Sequence, residues 1–318
     1  MILIQRNNSN PYFNIAAEEY FLKNFSDDII MFWQSTPSVI IGKHQNTMAE
    51  VNLSFVNKHS IPVIRRISGG GTVYHDEGNI NYTIITSSEN REQLVDFKSF
   101  TKPMIGFLNS LGLTAVFEGK NNLTVNGKKF SGNSAHVYKN RILNHGTLLF
   151  NTNLNNLETT IAPRDFSVND KAVKSIRANV ANLSDQLPQS MSIEVFKEKL
   201  ETYFQEYFNI ESSIQPSDKD TSKINHLVKT KYELWEWNYA YSPSFNFTNV
   251  HQGLAITMKI KKGIIINIVI DGIIDFKDRV CKSLINCNYK EEEIKDKLQA
   301  IQLNLDTFNL YIVLLGFR

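Results

Sequence analysis

The sequence predicts an α+β fold: mixed, largely antiparallel sheets flanked by helices, followed by a small α+β C-terminal domain. Three observations predict it. Between residues 119 and 150, strand-like runs follow one another through tight turns, which makes hairpins rather than parallel crossovers. Helical periodicity is confined to separate stretches at about residues 11–25, 91–111 and 192–208. After Pro243 a fresh strand–strand–helix–helix pattern begins, enough for a second, smaller unit.

Taken in order, "MILIQ" is an opening strand, and "NPYFNIAAEEYFLKNF" a helix with Phe13, Ala16, Ala17, Tyr20 and Phe21 at helical spacing. "IIMFWQ" and "SVIIGKHQ" are short strands with Pro37 in the turn between them. "LSFVNKHS" is a short helix, "PVIRRIS" a strand feeding three glycines, and "NINYTIIT" a further strand. Residues 91–111 are helical with Pro103 as an interruption. Asn126-Gly127 supplies the positive φ of a two-residue hairpin turn, and Lys139-Asn140 forms a second turn. Residues 192–208 form an amphipathic helix, 211–223 a polar surface loop, and 238–245 a break. The expected division is a domain at 1–240 and another at 245–318.

Bulk composition narrows the function. The 318 residues carry 34 Lys+Arg against 32 Asp+Glu, a formal net charge of +2. No basic arm or stripe suits a phosphate backbone, so nucleic acid is not the expected partner. Two cysteines, Cys281 and Cys287, exclude a disulfide scaffold and match no zinc motif. No signal-peptide pattern is visible, and the longest apolar runs fall short of the roughly 20 residues a spanning helix needs. A soluble, cytoplasmic protein without membrane contact is the expectation.

The informative stretch is "RRISGGGTVYHDEGNINY", residues 65–82. Three glycines after a strand let backbone approach a ligand without a Cβ in the way, and successive N–H groups can converge on an anion. The Walker pattern needs Gly-Lys-Ser/Thr, whereas Gly71 is followed by Thr72, Val73 and Tyr74. The dinucleotide fingerprint must open a helix, and this stretch reads as strand and turn. Ser68, His75 and Asp76 make no hydrolase triad, because eight residues holding two turns cannot bring them into line. A second constellation, "GKNNLTVNGKKFSGNSAH" (119–136), places Lys128 and Lys129 after a hairpin turn. Strand alternation sends them to opposite faces, so at most one enters a given cleft; on propensity alone both are ordinary solvated lysines.

These blocks, with "FNIAAEE", "FWQSTPSVIIGKHQN", "NHGTLLFNTNL", "SIRANVANL" and "WEWNY", resemble the lipoate–protein ligase family in its long form, in family order over most of the chain. The wider fold relative is biotin–protein ligase, whose GRGRxGR-type loop is absent. The resemblance implies a two-step reaction: (R)-lipoate and ATP, with Mg²⁺ assisting, give lipoyl-adenylate and pyrophosphate. A lysine of an acceptor lipoyl domain then takes the lipoyl group and AMP leaves. Acceptors would be 2-oxoacid dehydrogenase acyltransferases and the glycine-cleavage carrier protein.

By position in the motifs, Lys129 resembles the lysine touching both lipoate carbonyl and phosphate. Arg66 resembles the phosphate-binding arginine, and Gly71, Thr72, Val73 and Tyr74 the nucleotide-lining segment. Ser68, Gly69 and Gly70 let that segment close over substrate, and Glu18, Trp33, His75 and His145 match positions around the lipoate and adenylate pocket. Trp33 reads equally as ordinary core, and His75 and His145 as hydrogen-bonded structural histidines. The family usually has Asn-Asp where this chain has Asn121-Asn122. Asn122 keeps an oxygen for a metal but brings no charge, which leaves a lipoyltransferase using preformed lipoyl-AMP as the alternative. The cysteine-relay octanoyltransferase relative is disfavoured, since Cys281 and Cys287 lie far along the chain from the glycines.

Overall fold

The structure, a computed structural model, describes residues 1–87, 95–161, 166–272, 276–301, 310 and 314–316. The first elements are β1 (Ile2–Ile4), α1 (Pro11–Asn24), β2 (Ile29–Trp33), β3 (Ser38–Ile41) and two short helices, α2 (Thr47–Glu50) and α3 (Leu53–Lys58). β4 (Val63–Arg65) leads into the glycines; β5 (Val73–His75) and β6 (Asn79–Ser87) follow them. Next come α4 (Phe97–Ser110), β7 (Ala115–Glu118), β8 (Asn122–Val125), β9 (Lys128–Tyr138) and β10 (Arg141–Leu149). After α5 (Leu154–Thr160) and β11 (Ser167–Asp170) lie α6 (Ile193–Tyr207), β12 (Ser213–Ile214) and α7 (Asp218–Leu227). The last are β13 (Phe245–His251), β14 (Leu254–Lys261), β15 (Ile264–Asp271), α8 (Lys277–Leu284) and α9 (Glu291–Ala300).

Two compact units result. One comprises Met1–Lys43, Ile64–Leu157 and Ser175–Glu233; the other His44–Val63, Glu158–Lys174 and Leu234–Arg318. In the first, eight strands among the described residues form a sheet in the order β12-β1-β2-β6-β10-β9-β8-β7. Only β12, β1 and β2 run parallel to one another; the remaining pairs are antiparallel, as the hairpin spacing predicts. A smaller sheet, β4-β3-β5, holds the glycine loop between its outer strands. In the second unit β11, β13, β14 and β15 form an antiparallel sheet. Among the described residues, no helix is long and apolar enough to cross a membrane.

The large sheet is covered on both faces, which is why β2 reads as an unbroken apolar run. On one side Ile30, Phe32, Ile80, Tyr82 and Ile84 pack with Phe107, Phe196 and Phe204 of α4 and α6. Nearly all of α1 is buried, including Asn14, Glu18 and Glu19, so this helix carries polar groups into the interior. Asn10 caps it by accepting the Tyr12 and Phe13 N–H groups at 2.9 and 3.2 Å, and Pro11 occupies the first turn, where no N–H is needed.

Three readings change. Pro103 does not interrupt its helix: α4 runs through it, with Met104, Phe107 and Leu108 buried, so packing outweighs the lost backbone bond. (The predicted start, 91–94, lies outside the described residues.) Residues 211–223 are not a surface loop but contain β12 and the start of α7. The overlooked signal is a capping box: Asp220 N–H donates to Ser217 Oγ at 3.2 Å, and Ser217 N–H to Asp220 Oδ2 at 3.0 Å. Replacing Ser217 by alanine is expected to cost about 1 kcal/mol, read as a lower urea midpoint. Finally, three strands rather than two follow Pro243. Gln252-Gly253 and Lys262-Gly263 all have positive φ and make two tight turns where only one was predicted.

Candidate active site

Register alone assembles a polar row on the face of the large sheet opposite the α4–α6 core. Met31 pairs with Thr83, Thr83 with His145, and His145 with Ser134, so four strands present these side chains side by side. Trp33 and Asn81 form the neighbouring row, and Trp33 Nε1 donates to Thr83 Oγ1 at 3.3 Å. From α1, Glu18 comes down on this row: Thr83 Oγ1 donates to Glu18 Oε1 at 2.5 Å, and His145 Nδ1 lies 3.0 Å from both carboxylate oxygens. Burial pushes the Glu18 pKa up, but His145, Thr83 and Arg6 outweigh it and hold the carboxyl below its usual range.

The glycine loop closes over the row. Ser68 Oγ lies 2.6 Å from His145 Nε2, and Ser134 Oγ donates to the Gly69 carbonyl at 2.8 Å. Gly70 has φ +82°, and a Cβ there would stand 3.1 Å from Arg66 Nη2. Gly69–Val73 reach the surface, whereas Arg66, Ser68 and Tyr74 do not. Arg66 is buried beneath the loop it precedes. Its Nε donates to Ser68 Oγ at 2.9 Å, Nη1 to the Ile40 carbonyl at 3.1 Å, and Nη2 to the Gly69 and Gly71 carbonyls at 2.5 and 2.7 Å. Burial lowers its pKa to about 10, with Glu18 opposing. Here the guanidinium uses four of its five N–H donors, two of them on the loop carbonyls of Gly69 and Gly71.

Three other expected residues are placed as follows. Thr72 N–H donates to Ser175 Oγ at 2.9 Å, Tyr74 is core with its hydroxyl accepting from Asn156 at 3.4 Å, and Trp33 is buried. His75 packs edge-on against Trp33, ring centroids 5.5 Å apart, and neither ring nitrogen has a partner among the described residues. Burial, then Arg66 and His145, lower its pKa to about 3, so the ring is neutral. Asp76 turns away: it accepts the Gly78 and Asn153 N–H groups at 3.0 and 2.8 Å. The Ser68–His75–Asp76 triad therefore does not form, but Ser68–His145–Glu18 does line up, from three distant segments.

Lys129 reaches the same face through a β-bulge. Leu123 pairs with Ser131 but Thr124 with Lys129, so one step on β8 matches two on β9 and Phe130 is the extra residue. Thr124 shares a face with Asn122, which pairs with Gly132; hence Lys129 and Gly132 point the same way although three residues apart. A Cβ on Gly132 would lie 3.1 Å from Lys129 Nζ. Lys128 is exposed and Lys129 half-buried, as alternation requires. Burial lowers the Lys129 pKa, and among the described residues the amine has no ion pair or hydrogen bond.

Segment 175–181, within the "SIRANVANL" block, has a role that only the fold reveals. Lys129 N–H donates to the Asn179 carbonyl at 2.8 Å and Ala181 N–H to the Lys129 carbonyl at 3.0 Å. With Ser175 against Gly71 and Thr72, this segment ties the lysine strand to the glycine loop. The geometry thus gathers a lone cation, a bare-backbone loop and a carboxylate-backed histidine on one sheet face.

The profile of the "Lipoyl protein ligase A/B catalytic domain" family matches residues 10–205. Lipoate–protein ligase 1 of Staphylococcus aureus (strain Mu50) is 36% identical over 315 residues, covering 95% of each chain. A solved lipoate-protein ligase A bound with ATP is 26% identical with a TM-score of 0.64, covering 74% of this chain and 97% of that one. The bi-partite lipoate protein ligase of Thermoplasma acidophilum, solved in a study of that enzyme and its E2 lipoyl domain, is 27% identical with a TM-score of 0.64, covering 74% and 94%. The arrangement of strands, loop and lysine just described is therefore that of a family member: the chain belongs to the lipoyl protein ligase A/B family, among the lipoate–protein ligases.

Proposed function

We propose that this protein activates (R)-lipoate with ATP to lipoyl-AMP and transfers the lipoyl group to a lysine of acceptor lipoyl domains. The observation that carries the reading is the Lys129 ammonium: half-buried, clear of internal partners among the described residues, and laid on bare backbone at Gly132 beside the glycine loop. Activation brings a carboxylate against an α-phosphate, two anions, and a fixed cation at that junction offsets their repulsion. In transfer the same charge stabilises the oxygen that becomes negative as the amine adds. The point charge of a lysine suits a junction shared by two groups.

Arg66 acts by holding Gly69 and Gly71 in a shape that leaves Gly69–Val73 open to nucleotide. Glu18, Trp33, Ser68, His75 and His145 line the lipoate side, where the buried His75 nitrogens, without a partner among the described residues, offer hydrogen bonds. Asn122 shares the face of Gly132, and its amide oxygen is the group on this chain that would hold a Mg²⁺ ion there. Such an ion would neutralise phosphate charge. Acceptors are lipoyl domains of 2-oxoacid dehydrogenase acyltransferases and the glycine-cleavage carrier protein, in the cytoplasm, and residues 245–318 act as an accessory domain.

The test is the mass of an apo lipoyl domain after incubation with lipoate, magnesium-ATP and this protein. A gain of one lipoyl group with pyrophosphate release is expected. The neutral Asn122 favours one second reading, transfer from preformed lipoyl-AMP alone. Absence of pyrophosphate without acceptor, together with transfer from synthetic lipoyl-AMP, would decide for it.

A further inference from the structure

We infer that Lys23, Lys43, Lys139 and Lys231 form a docking patch for an acidic face of the acceptor domain; the inference rests on the proposed transfer reaction. His136 and Tyr138 follow Ser134 along β9 at two-residue steps, so they lie on the sheet face that carries Thr83 and His145. The Tyr138 ring gathers two ammonium groups, Lys23 Nζ and Lys139 Nζ, each 5.4 Å from its centroid. Lys23, on α1, and Lys231, just past α7, share one carboxylate: their Nζ atoms stand 2.6 Å from Glu19 Oε1 and Oε2. Lys43 enters from the end of β3, where its N–H donates to the Ser68 carbonyl at 2.8 Å. Lys23 and Lys139 are exposed, Lys43 and Lys231 half-buried.

These charges bear on one another. Burial first, then Lys43, with Lys23 and Lys231 behind it and Glu19 opposing, lower the His136 pKa to about 4, so this half-buried ring is neutral. Burial also lowers the pKa of Lys231, and Lys23 and Lys43 add to it although Glu19 opposes. Around His136 three lysines thus face one acid, and Glu19 is already divided between two of them. Carboxylates brought from outside relieve that repulsion, which is what an acidic partner supplies. The nucleotide is not that partner. From Gly132, against which the Lys129 amine lies, to Tyr138 is about 20 Å at 3.3 Å per residue, too far for phosphates held at the Lys129 junction. A folded domain of about 100 residues has a radius of gyration of about 13 Å. An acceptor whose lysine stands at that junction therefore covers the patch as well.

The test compares full-length wild type with the double variant Lys43→Glu/Lys139→Glu in transfer to an apo lipoyl domain of net negative charge. Pyrophosphate release on adenylation is the control, expected to match wild type, because neither side chain has an ion pair among the described residues. The KM for the acceptor is expected to rise at least about 10-fold, within the range that electrostatic steering adds, with kcat little changed. In wild type that KM should climb between about 0.05 and 0.5 M salt, and in the double variant it should not. An unchanged acceptor KM, or a rise in the KM for ATP instead, would overturn the docking patch and leave the ligase reading intact. Should the variant not fold, the wild-type salt series decides, and a flat acceptor KM overturns the proposal. Neither pyrophosphate release nor transfer by the wild type would overturn the ligase reading, and the docking with it.

Discussion

Lys129→Met will lose turnover by at least about 100-fold, the scale on which removing one preorganised charge or donor from a reacting centre acts. Methionine keeps the unbranched stem, one atom shorter, and removes the charge. The backbone on either side is held by Asn179 and Ala181, so the strand has no reason to move. A wild-type thermal midpoint beside lost pyrophosphate release and lost transfer is the expected pair of results; retained turnover would sink the role given to this residue. Arginine is not a substitute, because Gly132 leaves room for a slim amine and its backbone approaches where a planar fork would stand. The pH dependence has a definite sign. Burial lowers this lysine's pKa, so the ammonium, the active form, is lost as pH rises through the lowered value. Activity should therefore decline at alkaline pH sooner than an exposed lysine would dictate, checked by a pH series of pyrophosphate release.

The second large effect is on stability. A Cβ on Gly78 would lie 2.0 Å from the Asn151 carbonyl oxygen and 2.7 Å from Thr152 N, both backbone atoms. No side chain can rotate out of the way. The Gly78 carbonyl also accepts the Phe150 and Asn151 N–H groups at 3.1 and 2.9 Å, which pins the two strands at this point. Gly78→Ala is expected to cost about 3 kcal/mol, at the upper end for overpacking, with a matching fall in the guanidinium midpoint. Because β6 begins here and carries Thr83, activity should fall along with stability. A variant as stable as wild type would mean that the Asn151 segment can shift freely.

Much of this was legible from residue order. Alternation separated Lys128 from Lys129, Asn126-Gly127 marked the hairpin, and the glycines after β4 marked the loop. What escaped was whatever depended on long-range register. Glu18, Ser68 and His145 are far apart in the chain, and only the fold brings α1 and the glycine loop onto the row that β2, β6, β10 and β9 set out. Arg66 reads as a phosphate ligand because charge is visible in sequence, whereas its bonds to the loop carbonyls appear only in the fold. The capping box of Ser217 and Asp220 was present to be read, and polarity masked it. Pro103 shows packing overriding a local preference.

The extra residue at Phe130 also bears on how this gene can change. A strand reads like a two-letter tape, up and down in turn, and β9 has one doubled beat that moves residue 129 from one letter to the other. Substitutions along the tape can be absorbed singly, but a codon lost or gained between positions 129 and 132 would turn the amine toward the aromatic interior. Length, not identity, is what heredity must protect there.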